Sequence, residues 1–109
     1  MKIYKYSITL YTQLGEKNGI LTRCADQNCG SERGFIEILG EKNPYFARIE
    51  PNGKCSMSGT LKTIVSKYKF QGEGYIYPDK LEITLYDGKT VLPMQGVIKE
   101  VIYENEKVL

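Results

Sequence analysis

A turn signal interrupts this chain every ~8–12 residues, and the stretches between the signals are short and rich in strand-forming residues. The clearest signals are Asn18-Gly19, Pro51-Asn52-Gly53, Pro78-Asp79 and Asp87-Gly88, with turn formers also at Asp26, Asn28 and Gly30 and over 40–44. Strands this short, joined this closely, predict an antiparallel all-β domain, because neighbours in sequence are then neighbours in space. Sequential pairing makes an up-and-down meander of about eight strands. Such a meander forms a closed or partly open barrel, with a two-sheet β-sandwich as the alternative. The barrel is favoured because closure removes edge strands.

The alternation of side chains sets the faces. In the run 3–12, Tyr4, Tyr6, Ile8 and Leu10 share one face and Lys5, Ser7 and Thr9 the other, the period-2 pattern of a half-buried strand. The run 54–62 does the same, with Cys55, Met57, Gly59 and Leu61 opposite Ser56, Ser58 and Thr60. The remaining strands are expected over residues 20–24, 34–39, 45–50, 68–77, 81–86 and 89–103. The last of these is expected to break near Pro93 to Gly96. A loop is expected at 14–19, a polar loop at 25–33, and a corner at Asn43-Pro44-Tyr45, where proline lacks a ladder donor. The reversal at 64–67 has no glycine or proline and admits a single helical turn. The predicted interior is Tyr4, Tyr6, Ile8, Leu10, Met57, Leu61, Phe70, Leu81, Ile83 and Leu85. These are bulky enough to fill an eight-stranded barrel, which is otherwise just wide enough for one small ligand.

One domain, residues 1–109, follows from the length. The formal net charge is +2, too small and too mixed in sign along the chain to imply nucleic acid or an anionic membrane as partner. Lys67-Tyr68-Lys69-Phe70 interleaves basic and aromatic residues as single-strand binders do. On a strand, however, its lysines and its aromatics point to opposite faces. The N-terminal residues alternate polar and apolar and lack a signal peptide's apolar core. No stretch approaches the ~20 apolar residues of a membrane span. Three cysteines are too few and too odd in number for a secreted disulfide framework. The expected location is therefore cytoplasmic. Cys24 and Cys29 read as ordinary thiols that a turn could bring together.

Three elements carry a resemblance: 15–19 (Gly-Glu-Lys-Asn-Gly), 38–45 (Ile-Leu-Gly-Glu-Lys-Asn-Pro-Tyr) and 58–63 (Ser-Gly-Thr-Leu-Lys-Thr). With them the chain, over nearly its whole length, resembles a group of small uncharacterised bacterial all-β proteins. That resemblance implies a fold and brings no activity, substrate or catalytic residue.

Catalytic chemistry finds little footing. The chain has no histidine, which rules out Ser–His and Cys–His nucleophile pairs and leaves zinc without an imidazole ligand. The Cys24–Cys29 spacing is also not that of a zinc pair. Ser56, Ser58 and Lys62 share a face of one strand but read as solvent-facing positions. Glu37 and Glu50 flank the predicted corner without an apolar setting that would raise a carboxyl pKa. The expectations are therefore no enzyme, no cofactor and no metal. If a binding site exists, a loop on a rigid scaffold is the place for it, and Asn43, Tyr45 and Arg48 are its candidates. Tyr6, Tyr68 and Tyr75 would line a barrel mouth. Phe35 and Leu39 share a face with Glu37, opposite Ile36 and Ile38, so an apolar pair is expected outside, as an interface. The functional expectation is a non-catalytic β-barrel interaction module or self-associating protein, with a homo-oligomer or protein partner. The alternative is a barrel binding an apolar or amphipathic small molecule.

Overall fold

Eight antiparallel strands pair in strict sequence order and close on themselves. They are β1 (Lys2–Thr12), β2 (Gly15–Ala25), β3 (Gly30–Ile38), β4 (Glu41–Ile49), β5 (Lys54–Lys62), β6 (Lys67–Ile76), β7 (Lys80–Tyr86) and β8 (Val91–Tyr103). The structure is a computed structural model and describes residues 1–27, 29–63 and 65–103. β8 returns to pair with β1 from Lys2↔Tyr103 to Leu10↔Met94. The fold is thus the closed all-β meander, with no helix among the described residues. The helical turn considered at 64–67 falls partly on Ile64, outside the described residues. Beside it, Thr63 and Ser66 build the reversal with their hydroxyls: Thr63 N–H donates to Ser66 O at 2.8 Å and Ser66 N–H to Thr63 Oγ1 at 2.9 Å. A side chain that imitates a backbone turn replaces the missing glycine.

All ten residues predicted for the interior are buried. Small residues let the strands coil around them. A Cβ at Gly59 would meet the Phe70 ring and Pro44 O at 2.9 Å, and one at Gly96 would meet Ile8 at 2.9 Å. The crowding follows from an eight-stranded circumference filled with bulky side chains.

Several boundaries differ from the sequence expectation, each for a physical reason. The first hairpin turns at Gln13-Leu14, with Gly15 at φ 105°, so Asn18-Gly19 lies inside β2 opposite Thr9 and Ile8. Gly19 is there for close approach, since a Cβ would collide with the Glu37 carbonyl of β3. The corner expected at Asn43-Pro44-Tyr45 is strand. The chain actually turns at Leu39-Gly40, with φ 55° and 79°, the left-handed pair that a two-residue hairpin requires. β8 does not break near Pro93 to Gly96. Its one irregularity faces Lys5/Tyr6, where Lys99 is the extra residue of a bulge. Pro44 and Pro93 each lie one residue beyond the end of a ladder, the first past Tyr45↔Gly59 and the second past Leu10↔Met94. A strand with one side unpaired tolerates proline.

Candidate functional site

The three binding candidates divide between the two faces of β4. Asn43 and Tyr45 point into the barrel and are buried, whereas Arg48 points out. The Asn43 amide is fully used in holding strands. Its Nδ2 donates to Ile36 O at 3.0 Å and Glu41 O at 3.3 Å, and its Oδ1 accepts from Lys62 N–H at 2.9 Å. The β4–β5 ladder stops at Tyr45↔Gly59, and this side chain bridges the gap beyond it. Tyr45 lays its ring over Gly34 and its hydroxyl donates to Thr22 O at 3.4 Å. Burial pushes that hydroxyl well above the ordinary phenol range. The three therefore do not converge on one site: Asn43 and Tyr45 face the interior and Arg48 the outer wall. The mouth expected from Tyr6, Tyr68 and Tyr75 does not form either: Tyr6 is fully buried, Tyr68 half-buried, and Tyr75 exposed on the outer face. Glu37 and Glu50 lie at opposite ends of the β3–β4 hairpin.

The interior holds a polar cluster that the sequence reading missed. Arg23 of β2 and Glu32 of β3 are buried together, and Arg23 Nε donates to both carboxylate oxygens at 2.8 and 2.9 Å. The guanidinium lies 5.0 Å from the centre of the Tyr4 ring, a cation–π contact. Tyr6, which also hydrogen-bonds Arg23, donates its hydroxyl to Tyr77 O at 2.7 Å and so ties β1 to the β6–β7 turn. Burial raises the Glu32 carboxyl above its ordinary value of 4.5, against the lowering pull of Arg23. Cys55 completes the cluster; burial and then the Glu32 charge push its thiol up to about 12. As a thiol that far from ionisation it is no nucleophile. Every buried side-chain nitrogen and oxygen among the described residues has a hydrogen-bond partner. The cluster therefore presents no open valence to a ligand and acts as a strut across one end of the barrel. The signal for it was parity: Arg23 keeps step with Leu21, and Glu32 with Ile36 and Ile38. The polar appearance of 25–33 suggested a loop and cut the strand short.

The outer surface offers more. Phe35 and Leu39 do point outward, as expected, with Leu39 45% exposed in the turn and Phe35 half-buried. Lys42 Nζ caps the Phe35 ring at 4.4 Å. Phe35 is paired with Pro44, and Phe46 lies diagonally beside it, paired with Arg33; Phe46 is 46% exposed. Together they make an aromatic and proline cluster on the β3–β4 face. A groove of about 230 Å³ begins at Phe46 and Arg48 and runs over Ser56 and Ser58 to Tyr86. It continues into a wider groove of about 820 Å³ over Ser58 and Thr60, walled by Lys67, Lys69, Tyr86 and Asp87. Among the described residues no group of three or more histidine, cysteine or acidic side chains could hold a metal ion. Comparisons with protein-family models, curated proteins and solved structures gave no match, so the geometry carries the functional argument.

Proposed function

We propose that this protein is a non-catalytic interaction module that works through its outer surface, by associating with a second copy of itself or with another protein. The observation that carries this reading is the cluster of Phe35, Pro44 and Phe46 on the β3–β4 wall, beside the polar outer positions of β5. The outward positions of β5 are Lys54, Ser56, Ser58, Thr60 and Lys62, and those of β6 include Lys67, Lys69, Gln71 and Glu73. Aromatic residues grouped on such a surface are the composition of an interface core. β8 also exposes Val91, Val97, Val101 and Tyr103, but Pro93 and the polar Gln95 stand between the first two, and Lys99 and Glu100 between Val97 and Val101. The small-molecule alternative loses support because the barrel centre is occupied by its own aromatic and aliphatic side chains and by a satisfied ion pair.

Sedimentation velocity tests the reading. A species larger than the 12.4 kDa chain is expected, and Phe35→Lys with Phe46→Lys should return it to monomer with an unchanged strand spectrum. A wild-type monomer at every accessible concentration, or an oligomer indifferent to both lysines, removes this face as the self-association surface.

A further inference from the structure

The stagger of a closed barrel leaves strand ends that pair on one side only, and among the described residues four such gaps occur at the end carrying the β5–β6 turn; the one between β1 and β8, past Leu10↔Met94, has on its β8 side Pro93, which lacks a ladder donor. Between β4 and β5 the Asn43 amide fills the space. Beside β2, residues 15–19 extend past the last β2–β3 pair, Ile20↔Glu37. The groove there, about 380 Å³, mixes the signs of Glu37, Glu41 and Lys42. The remaining gap is different. β6 pairs with β5 along Lys67 to Tyr75, but its ladder to β7 begins only at Gln71↔Tyr86. Residues 67–70 thus have a free side, and what spans the opening is the hydrogen bond from Tyr68 Oη to Thr90 O at 3.0 Å. The 820 Å³ groove wraps around this free side.

Its charge is one-sided. Lys67 and Lys69 project from the free segment, both exposed. The acid in the groove wall is Asp87, and its carboxylate is already committed. Oδ1 accepts from Lys89 N–H at 3.0 Å and Thr90 N–H at 2.8 Å. Those bonds hold its pKa below the usual carboxylate range.

Resting on the reading of the protein as an interaction module, we propose that the free side of β6 at Lys67–Phe70 is a docking site for an extended acidic peptide segment of a protein partner. The segment adds as a strand against the unpaired backbone groups of β6, a known mode of peptide capture. Alternate residues of a strand edge turn their N–H and C=O outward, so this segment offers two residues' worth of ladder bonds. The peptide's carboxylates lie over Lys67 and Lys69. Backbone pairing supplies attachment and the lysines select the sign.

The test uses the whole protein and a short fluorescein-labelled peptide of alternating glutamate and valine. Binding is expected, with chemical-shift changes and slowed amide exchange confined to residues 67–70 and the facing groove. Lys67→Glu with Lys69→Glu should weaken it at least ~tenfold, since like charges now face each other across the interface. Should that variant fold poorly, the wild type alone suffices: binding must fall as salt shortens the screening length from ~10 Å at 0.1 M to ~3 Å at 1 M. Absence of binding overturns the proposal. Equal binding of a version with proline at every second position shows charge without strand addition and also overturns it. Tighter binding of single-stranded oligothymidylate at the same lysines would replace the peptide by nucleic acid. Failure here with salt-stable oligomers in sedimentation sinks this docking site alone, whereas failure of both removes the interaction reading itself.

Discussion

Arg23 and Glu32 are the two side chains whose chemistry departs furthest from their surroundings. Removing one partner of a buried ion pair leaves an uncompensated charge, which costs ~3–5 kcal/mol, whereas replacing both by apolar residues of like volume is often neutral. Glu32→Ala should therefore destabilise the fold by about that amount in chemical denaturation, and Arg23→Met with Glu32→Leu should recover most of it. The carboxyl also leaves a pH signature. Its folded pKa lies above 4.5, so the folded chain holds this proton more tightly than the unfolded one. Its contribution is full below 4.5 and is lost as pH rises through the raised folded value. A carbon-detected titration should place the Glu32 midpoint above 4.5; a midpoint at or below it would contradict the buried setting. A second contrast concerns neighbours on β5. A side chain at Gly59 meets Phe70 and Pro44 O at 2.9 Å, while Ser58 points to solvent. Gly59→Val should cost ~1–3 kcal/mol by overpacking and Ser58→Val stay within about 0.5 kcal/mol. Equal effects would mean that the two faces are assigned the wrong way round.

At the level of strands, ladders end where sequence pattern does not say they end, and side chains finish them. Asn43 is the clearest case: it reads as a turn former before proline, and it serves as a clamp between β3, β4 and β5. Asn43→Leu keeps the volume and removes the amide. Lys62 N–H and Ile36 O then lose their partner, and the loss should be ~1–3 kcal/mol, with faster amide exchange at Lys62. An unchanged Lys62 exchange rate would show that the Asn43 bond is not what protects this amide. The faces of β1, β5 and β7 were legible because apolar residues recur at every second position there. The lengths of β2, β3 and β4 were not, because Asn18-Gly19 and Asn43-Pro44 carry turn chemistry yet lie inside strands, and the polar run 25–33, which holds the inward Glu32, looks like a loop.

For the whole molecule, closure decides what kind of association is open to it. A barrel without a full-length edge cannot polymerise edge to edge, so partners must use a wall or one of the short overhangs left by the stagger. The wall around Phe35 and Phe46 is apolar, and the overhang at Lys67–Phe70 is basic. These two surfaces should respond oppositely to salt, because burial of apolar area is not screened and contact between exposed charges is. Sedimentation at low and high ionic strength is expected to show the same oligomer, while acidic-peptide binding declines. An oligomer that dissociates in salt would move self-association from the aromatic wall to the basic overhang.

By itself the sequence determined the class of the fold, its meander order and most of its interior, because period-2 alternation and short turns are local properties that a chain expresses wherever it folds. It also placed Phe35 and Leu39 on the outer face by the same alternation. Only the tertiary structure decided that Arg23 would meet Glu32, that Asn43 would bridge two ladders and that β6 would keep a free side at 67–70. Those outcomes depend on the stagger at which the strands close into a barrel, which sets partners between residues far apart in the chain and which no local pattern encodes. The candidate site followed the same division. Arg48 is on the surface because it alternates with the inward Ala47 and Ile49 of β4, whereas Asn43 and Tyr45 are drawn inside because the corner that would have exposed them is part of the same strand.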